Sequence, residues 1–222
     1  MSTESREQRR AGATVGEVMT TRVLAVTPDA DFRDIVLTFR QYRISACPVV
    51  NEAGQVLGVV SEADLLHKAA GTEFPAGLIR LQWKLSEQSK ATAVTARQLM
   101  TAPAVTIRAD APVTVAARVM QDRRVKRLPV VDEAGKLTGM ISRVDVLSVY
   151  ERPDSAIQAE LQRIVDTEFG LRPGTIDVAV SAGIVTLAGT VDRRETALNL
   201  VARARHADGV IATRDRLSVS GA

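Results

Sequence analysis

The chain repeats itself. Residues 18–66 align with residues 99–147 without a gap, at a constant offset of 81. About 15 of the roughly 49 paired positions are identical, and many of the others are apolar in both copies. Met19-Thr20 meets Met100-Thr101, Pro48-Val49-Val50 meets Pro129-Val130-Val131, and Glu52-Ala53-Gly54 meets Glu133-Ala134-Gly135. Gly58, Ser61 and Asp64 meet Gly139, Ser142 and Asp145. Two equal units of this size each expose an apolar sheet face, and packing face to face buries both.

The local pattern predicts the same elements in each copy. A short apolar strand (Val23–Val26; Ala104–Ile107) leads to a polar turn. An amphipathic helix follows, with Phe32, Ile35, Val36 and Phe39 in copy one and Val113, Ala116, Ala117 and Met120 in copy two. Next comes a strand opened by Pro48 or Pro129, where a missing N–H costs least. Asn51–Gly54 and Asp132–Gly135 read as hairpin turns closed by a glycine at positive φ. A second strand, Val56–Val60 or Leu137–Ile141, runs into a short helix at Ser61 or Ser142.

That junction carries the chemistry: Gly58-Val-Val-Ser61-Glu-Ala-Asp64, and again Gly139-Met-Ile-Ser142-Arg-Val-Asp145. A serine at a helix start with an acid three residues on is a capping box and needs no ligand. The same geometry also suits a nucleotide. A helix N-terminus attracts anions, a serine hydroxyl adds a donor, and a carboxylate accepts from two ribose hydroxyls. Both readings can hold at once.

The two PVV-(N/D)-E-A-G turns, the G-h-h-S-x-x-D junctions and the leading VMT and LMT segments together resemble the CBS domain family over about residues 15–150. The resemblance implies a pseudo-twofold pair of βαββα repeats. In relatives, clefts between the repeats take AMP, ADP, ATP or S-adenosylmethionine as a regulatory ligand, with no covalent cofactor. By that likeness Asp64 and Asp145 hold ribose, Ser61 and Ser142 touch phosphate or ribose, and Thr20 and Thr101 line the adenosine pocket. Backbone near Ile44–Cys47 and Val125–Leu128 reads the adenine edge. A basic pair, Lys126-Arg127, precedes Leu128-Pro129 in copy two, whereas copy one has Ser45-Ala46. Copy two also has Arg143 where copy one has Glu62. Arginine suits forked phosphate contact and glutamate repels polyphosphate. The phosphate end of a ligand is therefore expected at a Lys126/Arg127/Arg143 cluster. Arg123-Arg124 is equally explained as a solvated helix end.

Pro153 marks a break. Beyond it the pattern gives a helix over 155–169, a strand over 175–181, the turn Ala182-Gly183, and a strand over 184–190. A helix capped by Asp192 and a last strand over 210–219 follow. The segment Gly183–Val191 and the late Asp208-Gly209-Val210 resemble a BON domain, a family linked with phospholipid or membrane attachment. The fold class is thus α+β: a pair of βαββα repeats followed by an αββαβ unit. The expected division is a tail at 1–14, repeats at 15–69 and 95–150, a linker helix at 70–94, and the BON-like unit at 154–220.

Charge and composition narrow the function. Residues 15–70 carry about two net negative charges, residues 95–150 about four positive, and the last third is near neutral. Two tyrosines, one tryptophan and four phenylalanines offer few surfaces for base stacking, which argues against nucleic acid. Two distant histidines and one cysteine build neither a metal site nor a catalytic constellation, so no enzyme is expected. No apolar run reaches the roughly 18 residues of a membrane span, and a polar start without an apolar h-region predicts a cytoplasmic protein, peripheral to a membrane at most. The sequence therefore predicts a regulatory sensor of an adenosyl ligand, and a homodimer by family habit. The alternative is a membrane-surface or protein-interaction adaptor using the BON-like unit, with the repeats as scaffold.

Overall fold

The computed structural model describes residues 12–69, 94–172 and 174–220. The expected linker helix lies outside the described residues except for Val94, as does the tail up to residue 11. By contact density the chain forms two compact units, and these cut across the repeats. One unit takes residues 19–109 and 123–141, and the other takes the N-terminal segment to 18, residues 110–122, and 142 onward. No helix among the described residues is long and apolar enough to cross a membrane.

In the first unit, copy one contributes α2 (Phe32–Tyr42), β1 (Ala46–Val50), β2 (Val56–Ser61) and α3 (Glu62–Ala69); α1 (Val15–Val18) precedes them in the other unit. Asp31 starts α2 by accepting the Asp34 N–H at 2.8 Å, and Arg43 ends it in the left-handed region at φ 53°. Ile35 and Phe39 are buried, whereas Val36 is 37% exposed. The expected apolar stripe is thus narrower by one residue. Val36 follows Ile35 by about 100° around the helix and so faces the edge of the core.

β1 and β2 pair antiparallel, with an irregularity at Val49/Val50, across the turn at Asn51. The Asn51 side chain accepts the Gln55 N–H at 2.9 Å, and Gly54 sits at φ 79°. Copy two repeats this between β4 (Arg127–Val131) and β5 (Leu137–Ser142), with Asp132 accepting from Ala134 and Lys136 and Gly135 at φ 76°. The two turns then bond each other reciprocally. Val56 N–H donates to the Gly135 carbonyl at 3.1 Å, and Leu137 N–H to the Gly54 carbonyl at 3.0 Å.

The leading strands are shorter than the sequence predicts. In copy one only Val26 bridges, parallel to Val49, and Val23–Val26 forms no strand. In copy two the strand is β3 (Ile107–Arg108), parallel to β4 and following α4 (Ala96–Leu99). The backbone just before each strand is committed to the other copy instead: Thr20 pairs with Met140, and Thr101 with Val59. Ile35, Phe39, Cys47, Val49, Val60, Leu65, Ala96 and Leu99 close the core beneath.

The second unit contains α5 (Val113–Asp122), α6 (Arg143–Ser148) and the C-terminal domain. That domain runs α7 (Asp154–Glu168), β6 (Ile176–Ser181), β7 (Ile184–Val191), α8 (Arg194–Arg205) and β8 (Ala212–Val219). The sheet order is β6-β7-β8, with β6 and β7 antiparallel and β8 returning parallel to β7 after α8. Ile157, Leu161, Ile164 and Val165 of α7 join Leu200, Val201 and Ala204 of α8 over the sheet's apolar face. Asp192 does not cap α8. The helix begins two residues later behind Arg193, and Asp192 instead accepts from the Ser220 hydroxyl at 3.3 Å, next to the end of β8.

Asp208 fastens this domain to the start of the chain. Its Oδ1 accepts the Ala13 N–H at 2.7 Å, and its carbonyl accepts from Arg152 Nη1 at 3.2 Å. Arg152 is itself held by Glu160 at 2.7 Å. Ala13 and Val15 exchange backbone bonds with Val113 and Ala111, so one short segment joins Asp208 to the start of α5. Asp208→Ala is expected to cost about 1.5–3 kcal/mol, the range for a lost bond to a charged acceptor. Hydrogen exchange at Ala13 and Gly209 would accelerate well ahead of exchange in β7.

Burial pushes the Cys47 thiol up from 9.0 to about 12. The unfolded thiol therefore loses its proton first, and this site contributes a loss of stability as pH rises from about 9 towards 12. In the native protein at pH 8, iodoacetamide is expected to leave Cys47 unmodified until denaturant is added.

Candidate functional site

At both strand-to-helix junctions the serine and aspartate close on each other. Ser61 donates both its N–H, at 2.8 Å, and its hydroxyl, at 2.6 Å, to Asp64 Oδ2. Ser142 does the same to Asp145 Oδ2, at 2.7 Å for each bond. At Ser142 this completes a capping box, and in both copies the two bonds fix the carboxylate's orientation. The serine proton is spent on the aspartate, so Ser61 and Ser142 act here as positioning residues. Oδ1 of each aspartate lies outside this pair of bonds.

The Met-Thr segment of each copy lies on the other copy's strand. Thr101 and Val59 exchange backbone bonds at 2.9 and 3.1 Å, and Thr20 and Met140 exchange theirs at 2.9 Å. This close approach explains the glycine in each junction. A Cβ on Gly58 would lie 2.6 Å from Met100 Sδ and 2.9 Å from the Thr101 carbonyl oxygen. On Gly139 it would meet Met19 Sδ and, at 3.1 Å, the Thr20 carbonyl.

Within the first unit these contacts enclose a cleft of about 310 Å³, a size that accommodates a small ligand. Copy one lines it with Ser45, Ser61, Glu62 and Asp64; copy two lines it with Thr101 and the segment from Arg124 to Arg127. Arg127 Nη2 donates to the Ser45 hydroxyl, and the Ser45 carbonyl accepts the Glu62 N–H at 3.0 Å. Ser45 therefore ties the copy-two guanidinium to the first residue of α3.

Five of the residues expected from the sequence come together here: Ser61, Asp64, Thr101, Lys126 and Arg127. Of the anticipated basic cluster, Lys126 and Arg127 share the cleft with Ser61 and Asp64 of the other copy, and Arg143 opens α6 behind Ser142 in the other unit. Thr20 is absent from this lining and bridges to Met140. The physical reason is the exchange of Met-Thr segments, which assembles the cleft from both repeats. Ser45, Ala46 and Val125, from the stretches expected near adenine, do line it.

Two further residues line the cleft. Glu62, expected from the sequence to repel polyphosphate, lines it on the copy-one side, and Arg124, which a solvated helix end explains equally well in the sequence, lines it on the copy-two side. Arg124 left a signal: Arg43 and Arg124 are identical across the repeat, and both adopt positive φ, 53° and 55°.

The chain thus contains a duplicated α/β module with a charged cleft between its copies, and comparison with known proteins gives this architecture a family. The CBS domain model matches residues 15–71 and 96–152, and the BON domain model matches residues 153–221. The chain belongs to the CBS-domain family, as a tandem pair followed by a BON domain. The uncharacterized protein MK0525 of Methanopyrus kandleri is 29% identical over 67% of this chain and 68% of its own length. An inosine-5'-monophosphate dehydrogenase of Halalkalibacterium halodurans is 31% identical over 71% of this chain, a match that takes in 28% of that enzyme. Among solved structures, CBSX2 of Arabidopsis thaliana in complex with AMP superimposes with a TM-score of 0.52 at 28% identity, covering 67% of this chain and 99% of that one.

Gly58→Ala and Gly139→Ala are each expected to destabilise the protein by about 1–3 kcal/mol, the cost of forcing atoms into a packed contact. Urea denaturation measures this.

Proposed function

We propose that this chain is a non-catalytic regulatory sensor. It binds an adenosyl ligand in the cleft between its repeats and signals through the resulting change of shape. The observation that carries this is the meeting, in one cleft, of a carboxylate oriented by Ser61 with two cations from the other repeat. Asp64 Oδ1 is positioned to accept from ribose hydroxyls. Lys126 and Arg127 answer a phosphate, and the Thr101 backbone forms the wall opposite. The complex of CBSX2 with AMP supports the same assignment by likeness. Ser142, Arg143 and Asp145 repeat the motif at the second junction, and Thr20 stands to Met140 as Thr101 stands to Val59.

Because the cleft draws its two sides from two repeats, a ligand that bridges them biases their spacing. That is the differential contact a switch requires. Val144, Leu147 and Tyr150, exposed at 74%, 61% and 48%, give a homodimer an apolar surface to cover. A single buried cysteine suits a reducing compartment such as the cytoplasm.

Isothermal titration with AMP, ADP, ATP and S-adenosylmethionine tests the assignment. Micromolar binding is expected from at least one of them. Asp64→Ala should weaken it at least tenfold, equivalent to about 1.4 kcal/mol. Asp64→Asn, which keeps an acceptor for Ser61, separates loss of the ligand contact from loss of the cap. No binding by any of the four would leave Ser61 and Asp64 as a helix cap only.

A further inference from the structure

The cleft holds a carboxylate that neither the cap nor the ribose contact uses. Glu62 is the first residue of α3 and is exposed, so its side chain plays no part in the core. It lines the cleft together with Arg124, Lys126 and Arg127. Ser45 ties the Glu62 backbone to Arg127, taking the Glu62 N–H on its carbonyl and the Arg127 Nη2 on its hydroxyl. A phosphate drawn to the cations is therefore drawn towards Glu62 as well.

We propose that Glu62 sets the ligand class of this cleft: an adenosine ligand with a single phosphate, in preference to a triphosphate and to a cationic adenosyl sulfonium. This rests on the reading of the cleft as an adenosyl site. Arg124, Lys126 and Arg127 stand against Glu62 and Asp64, which leaves the lining modestly positive. A nucleoside monophosphate, with two negative charges, is matched by the cations. Each further phosphate adds negative charge next to a carboxylate that has no counterpart at the equivalent position of copy two, where Arg143 stands. S-adenosylmethionine offers these cations a single carboxylate in place of a doubly charged phosphate, and brings its sulfonium and ammonium charges towards them.

The chain supplies its own substitution, because position 62 corresponds to position 143 across the repeat. Wild type, Glu62→Gln and Glu62→Arg would be titrated with AMP, ATP and S-adenosylmethionine at low salt, with EDTA present so that ATP carries its full charge. Wild type is expected to bind AMP more tightly than ATP or S-adenosylmethionine. Glu62→Gln should raise ATP affinity relative to AMP by about threefold to tenfold, and Glu62→Arg should raise it further. The AMP-over-ATP preference should shrink in 0.5 M salt. Binding with an AMP-to-ATP ratio unchanged in both variants, or a wild-type preference for ATP or S-adenosylmethionine, overturns the role of Glu62 and leaves the adenosyl site standing. No binding by wild type or either variant overturns both.

Discussion

Everything distinctive in the repeat pair depends on a backbone contact less than a side chain wide. The Thr101 segment lies against β2 at Gly58, and the Thr20 segment lies against β5 at Gly139. Each contact is held by two N–H···O bonds and permitted by the absence of a Cβ. The hairpin turns at Gly54 and Gly135 add a reciprocal pair of bonds. Each repeat thus completes the other's hydrogen bonding, and buried backbone groups leave little tolerance for an alternative arrangement.

This exchange explains why the cleft has two chemical sides. Copy one supplies an oriented carboxylate at the start of α3, and copy two supplies the cations before β4. Duplication makes the framework symmetric, and divergence makes the charge asymmetric. Position 62 is acidic where position 143 is basic, and Ser45-Ala46 stands where copy two has Lys126-Arg127. The Ser45–Arg127 bond joins those two diverged positions directly. Serine at 45 thus replaces a cation that would have repelled Arg127.

The features legible in the sequence are those whose chemistry is local. The Asn51 and Asp132 turns, the Ser-x-x-Asp caps and the αββαβ order after Pro153 are set by neighbours a few residues apart, and they appear where the sequence places them. Features that depend on distant partners were less legible. Val23–Val26 has strand composition, but Thr20 has already given its backbone to Met140. Asp192 has the identity of a cap, but Ser220 claims it. Lys126 and Arg127 are close to Arg143 in sequence, yet the exchange of segments puts them beside Ser61, Glu62 and Asp64.

If one ligand is held by both repeats at this cleft, a crystal structure of the full chain with AMP will show a ribose hydroxyl within hydrogen-bond distance of Asp64 Oδ1, and phosphate oxygens against Lys126 and Arg127. A nucleotide held by one repeat alone, or a phosphate lying away from Lys126 and Arg127 with the cleft vacant, would contradict it.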